Sequence, residues 1–275
     1  DMLQLQARVL LAGSVAAGVY SPDSNVNLAL VGEGLDAERC LDELEQLARR
    51  SQRSRHVARK TDPTGAALLS SVDAETGATV TFGVGMQREC ASASVISHYA
   101  SREPRIHPVL RWLRVLAEQL GLLGARDGLL GAFEWALLVV YYFQRVVAAG
   151  PPGRPQSMVQ LILGLLAFYG RQFDWMAEVV SVRLASQGKQ VPRSDMADHI
   201  AHDPWIIEDP GDPSVNAAAR TTPAGRRRVL RGLRAVEREL QRQGGWATLF
   251  SCPSVTRTRS FVSLECARDV DPRVL

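Results

Sequence analysis

The chain's 275 residues and 30.1 kDa allow one large domain or two modest ones, and 46% hydrophobic with 22% charged residues excludes a mainly disordered or fibrous chain. Its 32 bases against 29 acids leave a net charge of +3, too little to announce a nucleic-acid binder, so any basic surface must be local. All the bases are Arg except Lys60 and Lys189, a bias that a GC-rich genome would also produce.

In chain order, Val9–Ala12 reads as a short strand closed by Gly13-Ser14, and Val26–Val31 as a second strand after the Ser21-Pro22-Asp23 turn. Leu41, Leu44, Leu47 and Ala48 keep helical spacing behind Asp36, a natural N-cap. Ala67–Val72 and Ala78–Phe82, joined by the turn-rich Asp73–Gly77, predict a hairpin. From about Pro104 the pattern turns helical, over Val109–Leu120, Gly131–Val147, Ser157–Tyr169 and Arg226–Gln243. Strands followed by a run of helices predict an α+β chain, a small mixed sheet with helices over 1–104 and an all-helical domain over 105–275.

Cys40, Cys90, Cys252 and Cys266 form no C-x-x-C pair and read as reduced thiols of an intracellular protein. The longest apolar stretch, Trp135–Phe143, is bounded by Glu134, Gln144 and Arg145 and is too short to span a bilayer, so no membrane partner is expected. The chain opens at Asp1 without a signal-like segment, which reads as a mature or trimmed product.

Chemistry concentrates where the first two strands meet. Gly13-Ser14, Gly18 and Ser24-Asn25-Val26-Asn27-Leu28 resemble the G-S-x-x-x-G-x-x-x-x-x-S-D-x-D-L signature of DNA polymerase β-like nucleotidyltransferases, except at its two acids. Asp73–Thr81 resembles the D-x-x-T-G-x-x-V-D strand of the same superfamily. Asp203–Pro210 with Asn216 and Arg220 resembles the I-E-D-P…N-x-x-x-R segment of noncanonical poly(A) polymerases and terminal uridylyltransferases, and Phe168–Arg183 resembles their helical domain. Four motifs in family order, over roughly Leu10 to Leu240, identify the chain as a member of that family. The resemblance implies a nucleotidyltransferase palm followed by a helical poly(A) polymerase-associated domain. The form of the helical motifs is most similar to trypanosomatid mitochondrial members, which favours the mitochondrial matrix over the cytoplasm.

What the family does requires three carboxylates, two on one strand at i and i+2 and one on its neighbour, cradling magnesium ions that clamp a triphosphate and activate an RNA 3′-hydroxyl. Here those positions fall on Asn25, Asn27 and Thr81, so no catalytic residue is intact and no metal or other cofactor is expected. A hard dication that dehydrates reluctantly is normally held by at least one or two carboxylates. Asp23, Asp73 and Glu75 are the acids that could stand in, and with them the chain would be an active RNA 3′-terminal transferase using magnesium.

The remaining nucleotide-binding positions implied by the resemblance are also altered. Gly13 and Ser14 are kept, but the two Lys that would meet the triphosphate are Arg114 and Glu118. The base-stacking Tyr is Trp135, whose place on an apolar helix with Phe133, Tyr141, Tyr142 and Phe143 favours a core residue over a base platform, and Asn216 keeps its family Asn. His199 and His202 have helical spacing but no visible third metal ligand.

Arg227, Arg231, Arg234, Arg238 and Arg242 fall on one helix face opposite Val229, Leu233, Val236 and Leu240, and residues 220–242 hold eight Arg against two Glu. Such a face is either solvated or bound to RNA phosphate or an acidic protein partner. The reading is a catalytically inactive member serving as an RNA- or protein-binding subunit of an RNA-processing or ribosomal assembly. A protein that binds NTP without turnover is a third reading.

Overall fold

The structure, a computed structural model, describes residues 7–18, 20, 24–61, 65–150, 156–196 and 198–242. Cys252, Cys266, Asp23 and the end of the last predicted helix lie outside these residues. The chain divides into two compact units, Asp1–His107 and Pro108–Leu275.

The first unit contains β1 (Arg8–Ala12), α1 (Gly13–Ala16), β2 (Val26–Val31), α2 (Ala37–Arg50), β3 (Ser54–Thr61), β4 (Ala67–Asp73), β5 (Thr79–Val84) and α3 (Gln87–Arg102). The five strands form one sheet in the order β1-β2-β5-β4-β3. Only β2 and β5 run parallel, and β4–β5 is the expected hairpin. Asp36 caps α2 by accepting from Arg39 N at 3.1 Å. Leu41 on α2 and Leu69 on β4 are fully buried, and α2 packs along β3, β4 and β5. On that side Arg59 of β3 meets three α2 acids, Glu38 at 3.7 Å, Asp42 in a closer contact and Glu45 at 2.8 Å. The bonds from Arg59, then from Arg49, hold the Glu45 carboxyl below its usual range.

Two elements here were not legible in the pattern. β3 carries Arg55, His56, Arg59 and Lys60, and a bulge between Arg55 and Ala58 with His56 at φ 51° breaks its alternation. α3 buries only Ala93, Ile96 and Ala100, too small a stripe to stand out among Ser and Ala.

The second unit takes in α4 (Ile106–Gln119), which begins just before the division, and then α5 (Ala132–Tyr142), α6 (Met158–Ala167), β6 (Glu178–Val179), α7 (Val182–Ala185), β7 (Val191–Pro192), α8 (Asp198–Ala201), β8 (Glu208–Asp209), β9 (Asp212–Asn216) and α9 (Pro223–Leu240). α5 and α6 are shorter than predicted because each ends in a π-helical turn, Phe143–Val147 and Phe168–Gln172. The second turn sits in an aromatic cluster. Tyr169 Oη donates to Leu138 O at 2.6 Å, Trp175 Nε1 donates to Tyr169 O at 3.1 Å, and Trp175 stacks on Trp205 with ring centroids 4.3 Å apart. α9 is capped by Thr222, whose side chain accepts from Gly225 N, and packs Val229, Leu233, Val236 and Leu240 inward. No described helix is long and apolar enough to cross a membrane.

Candidate nucleotidyltransferase site

The parallel pairing of β2 with β5 places Asn27 directly opposite Thr81. Directly paired residues share a face, and Asn25 lies one residue before β2 begins. Asn27 and Thr81 therefore lie together on one sheet face, both half-buried, with Asn25 exposed at the edge of β2. Around them the described strand residues of that face are Arg8, Leu10 and Ala12 on β1, Ala29 and Val31 on β2, Thr79 and Gly83 on β5, Leu68, Ser70 and Val72 on β4, and Arg55, Ala58 and Lys60 on β3. None is a carboxylate. Alternation sends Asp73 to the other face, where its carboxylate accepts from Thr76 Oγ1 at 2.7 Å and Thr76 N at 3.0 Å, with Arg53 3.6 Å away. These contacts hold the Asp73 carboxyl below its usual range. Glu75 is paired with Arg53 at 2.7 Å. Both acids are thus committed to the hairpin turn.

Gly13 bends the chain beside Asn27. Its φ is +66°, and a Cβ there would come 2.7 Å from Asn27 Nδ2, so the position needs glycine for both conformation and space. Gly18, at φ +71°, similarly lies against the His107 ring. Ser14 follows Gly13 in α1 and is half-buried. Gly13→Ala is expected to destabilise the fold by about 1–2 kcal/mol, the left-handed penalty, which a thermal melt of the purified variant would register as a lowered Tm.

In the second unit, Arg114 Nε donates to Glu118 Oε1 at 3.0 Å, an i,i+4 ion pair on α4. Glu118 therefore neutralises the one cation kept at the family's triphosphate positions. Trp135 differs from the base-stacking expectation. It is 3% exposed, and its Nε1 donates to Leu122 O at 3.4 Å. Its ring is packed into the core, where no base can stack on it. Asn216 is corrected likewise. At 4% exposure, its Oδ1 accepts from Ile207 N at 2.9 Å and Ala218 N at 3.0 Å, while Nδ2 donates to Asp203 Oδ2 at 2.7 Å and Trp205 O at 2.8 Å. An amide offers two donors and two acceptor positions, so all four are filled within the protein. Beside it, buried Glu208 accepts from Arg183 Nε and Nη2 at 2.9 and 3.1 Å, and Asp209 Oδ1 accepts from Gly211 N at 2.9 Å in the β8–β9 turn. Burial is the signal that sequence spacing lacked at Trp135 and Asn216.

Along α9, Arg227, Arg231, Arg234 and Arg238 are exposed, and Arg242 continues their line just past the helix end. Arg231, Arg234, Ala235 and Arg238 line a groove of about 440 Å³. The five differ in freedom. Arg234 Nε donates to Gly170 O, Arg238 Nε donates to Arg234 O at 3.3 Å and Arg242 pairs with Glu239 at 3.3 Å. Arg227 and Arg231 make no side-chain bond with another described residue. Among the described residues, no group of three or more His, Cys, Asp or Glu is arranged to hold a metal ion. The amide and hydroxyl groups of Asn25, Asn27 and Thr81 bring no charge to offset a dication and do not fit a two-magnesium centre.

A family profile described as Cid1 family poly A polymerase matches residues 157–215. Among curated proteins, the chain is 26% identical over 153 residues to poly(A) RNA polymerase GLD2-A of Xenopus laevis, covering 44% of this chain and 29% of that protein. It is 22% identical over 247 residues to human terminal uridylyltransferase 7, covering 74% of this chain and 16% of that protein. The chain thus spans less than a third of the length of either relative. Among solved structures it resembles the Cid1 poly(U) polymerase bound to MgATP, with a TM-score of 0.74, 16% identity and coverage of 89% of this chain and 86% of that one. It also resembles mtPAP in complex with UTP, with a TM-score of 0.71, 12% identity and coverage of 89% and 61%. The α+β fold is that of Cid1-type nucleotidyltransferases with a poly(A) polymerase-associated domain. Motif order, profile and fold agree, and together they support membership of the noncanonical poly(A) polymerase and terminal uridylyltransferase family.

Proposed function

We propose that this chain is a catalytically inactive family member, its residues 1–104 a palm without a metal centre and 105–275 the helical associated domain. It serves as an RNA-binding subunit of an RNA-processing or ribonucleoprotein assembly. The carrying observation is the Asn27–Thr81 pair on a sheet face where no described strand residue is a carboxylate. A two-metal transfer needs anionic oxygens that hold both ions against their water shells, and neutral amide and hydroxyl oxygens do not replace that charge. The Arg114–Glu118 pair supports the same reading at the triphosphate side.

RNA is favoured as partner by the Arg line on α9. Arg227 to Arg242 spans 15 residues, about 22 Å at 1.5 Å per residue, and Arg forks suit phosphate oxygens bidentately. No aromatic side chain is interleaved in the line, so contacts would go to the backbone and be sequence-tolerant. The Arg-rich composition and trypanosomatid-like helical motifs support a mitochondrial setting.

Titration with Mn²⁺, followed by electron paramagnetic resonance, tests the palm. The chain is expected to hold no Mn²⁺ tightly, while the triple variant Asn25→Asp, Asn27→Asp, Thr81→Asp gains a site at least about tenfold tighter, because the two paired carboxylates then share one sheet face and the third stands one residue before β2. Tight Mn²⁺ binding by the unaltered chain, lost on Asn27→Ala, would overturn the reading.

A further inference from the structure

We propose that the palm face, having lost its metal ligands, binds phosphate oxyanions directly through Lys60, Thr81 and Asn27, without a metal. The inference rests on the inactive-palm reading and deepens it by naming the ligand chemistry of that face.

Lys60, one of only two lysines, sits on edge strand β3. The bulge between Arg55 and Ala58 sets its phase, so that it shares a face with Ala58 and Ser70 and not with Arg59. Its Nζ reaches inward and donates to buried Ser70 Oγ at 3.0 Å. Ser70 is directly paired with Thr81, and Thr81 with Asn27. Lys60 of β3, Ser70 of β4, Thr81 of β5 and Asn27 of β2 therefore follow one another across four neighbouring strands about 4.8 Å apart, with the ammonium drawn over β4 by its bond to Ser70. Thr81 and Asn27 make no side-chain bond with another described residue.

The sign of this face is opposite to what magnesium needs. Arg55 lies on the same face, and on the other side three α2 acids meet Arg59 while the fourth, Glu43, pairs with Arg39. An ammonium with two neutral donors and, among the described strand residues of that face, no competing carboxylate suits a phosphate group, to which a charge-assisted bond contributes most. A divalent cation would meet a like charge there.

The phosphate could be the triphosphate of an NTP or the phosphodiester of RNA, and the full chain distinguishes them by isothermal titration in EDTA. Three probes are used: inorganic triphosphate, ATP and a short 5′-hydroxyl RNA. Binding is expected in EDTA, unimproved by Mg²⁺, and weakened about tenfold or more by Lys60→Met, the loss of one charge-assisted bond, with recovery in Lys60→Arg. Thermal melts confirm that the variants are folded, as an edge-strand side chain permits. A Lys60 effect on triphosphate and ATP assigns the site to nucleotides, and an effect on RNA alone assigns it to the phosphodiester. Either supports the proposal. Absence of any Lys60-dependent binding in EDTA, or binding that needs Mg²⁺, overturns it. The same samples with Mg²⁺ and radiolabelled RNA separate the two readings. No extension together with no metal-free binding removes this inference alone, whereas extension removes the inactive-palm reading as well.

Discussion

Asn216→Ala is expected to lower the stability of the second unit by about 3–5 kcal/mol, a large share of a typical domain's total. The change removes one amide and leaves four partners short of a bond: Ile207 N, Ala218 N, Trp205 O and the Asp203 carboxylate. Each buried group left unpaired costs about 1–3 kcal/mol, and water reaching Asp203 recovers part of the sum. Asn216→Asp keeps the acceptors but sets a second carboxylate oxygen about 2.7 Å from Asp203 Oδ2, where Nδ2 now donates a hydrogen bond, so it should destabilise too. Denaturant unfolding of both variants checks the account. Unchanged midpoints with weakened nucleotide binding would return Asn216 to the role that the family resemblance implied.

The second large effect belongs to α9. Arg227→Glu with Arg231→Glu is expected to weaken binding of single-stranded RNA by about tenfold to a hundredfold at moderate salt, and to flatten the salt dependence by about 1.4 in log–log slope for two lost phosphate contacts. These two are chosen because neither side chain bonds to the described protein, whereas Arg234 also holds Gly170 O and its replacement would confound binding with folding. Filter binding across a salt series gives both numbers. Unchanged affinity and slope, with loss of co-purifying protein partners instead, would make the Arg face a protein interface.

Much of the palm was legible because its strands alternate and its turns are marked. Asp36, Gly13 and the Asp73–Gly77 turn all act where the pattern put them. β3 was illegible for a physical reason, since its polar residues pair with one another's neighbours on an exposed edge and its bulge destroys the period of two. That loss mattered, because β3 carries Lys60, a cation on the altered face. At the site, the identities of Asn25, Asn27 and Thr81 could be read from spacing, and the shared face of Asn27 and Thr81 follows from register. Glu118 was legible as a charge opposed to phosphate, and the structure adds that it is paired with Arg114. Trp135 and Asn216 could not be assigned from sequence, where a buried ring or amide and a ligand-facing one are written with the same letter.

The central claim is that a retained fold has lost its transfer chemistry, and a 3′-extension assay tests it most directly. The full chain is incubated with 5′-labelled RNA, Mg²⁺ or Mn²⁺ and each NTP in turn, with products resolved to single nucleotides. No added nucleotide is predicted under any combination, at protein concentrations where the RNA is bound. Metal-dependent addition of one or more nucleotides, abolished by Asn27→Ala or Thr81→Ala, would contradict it.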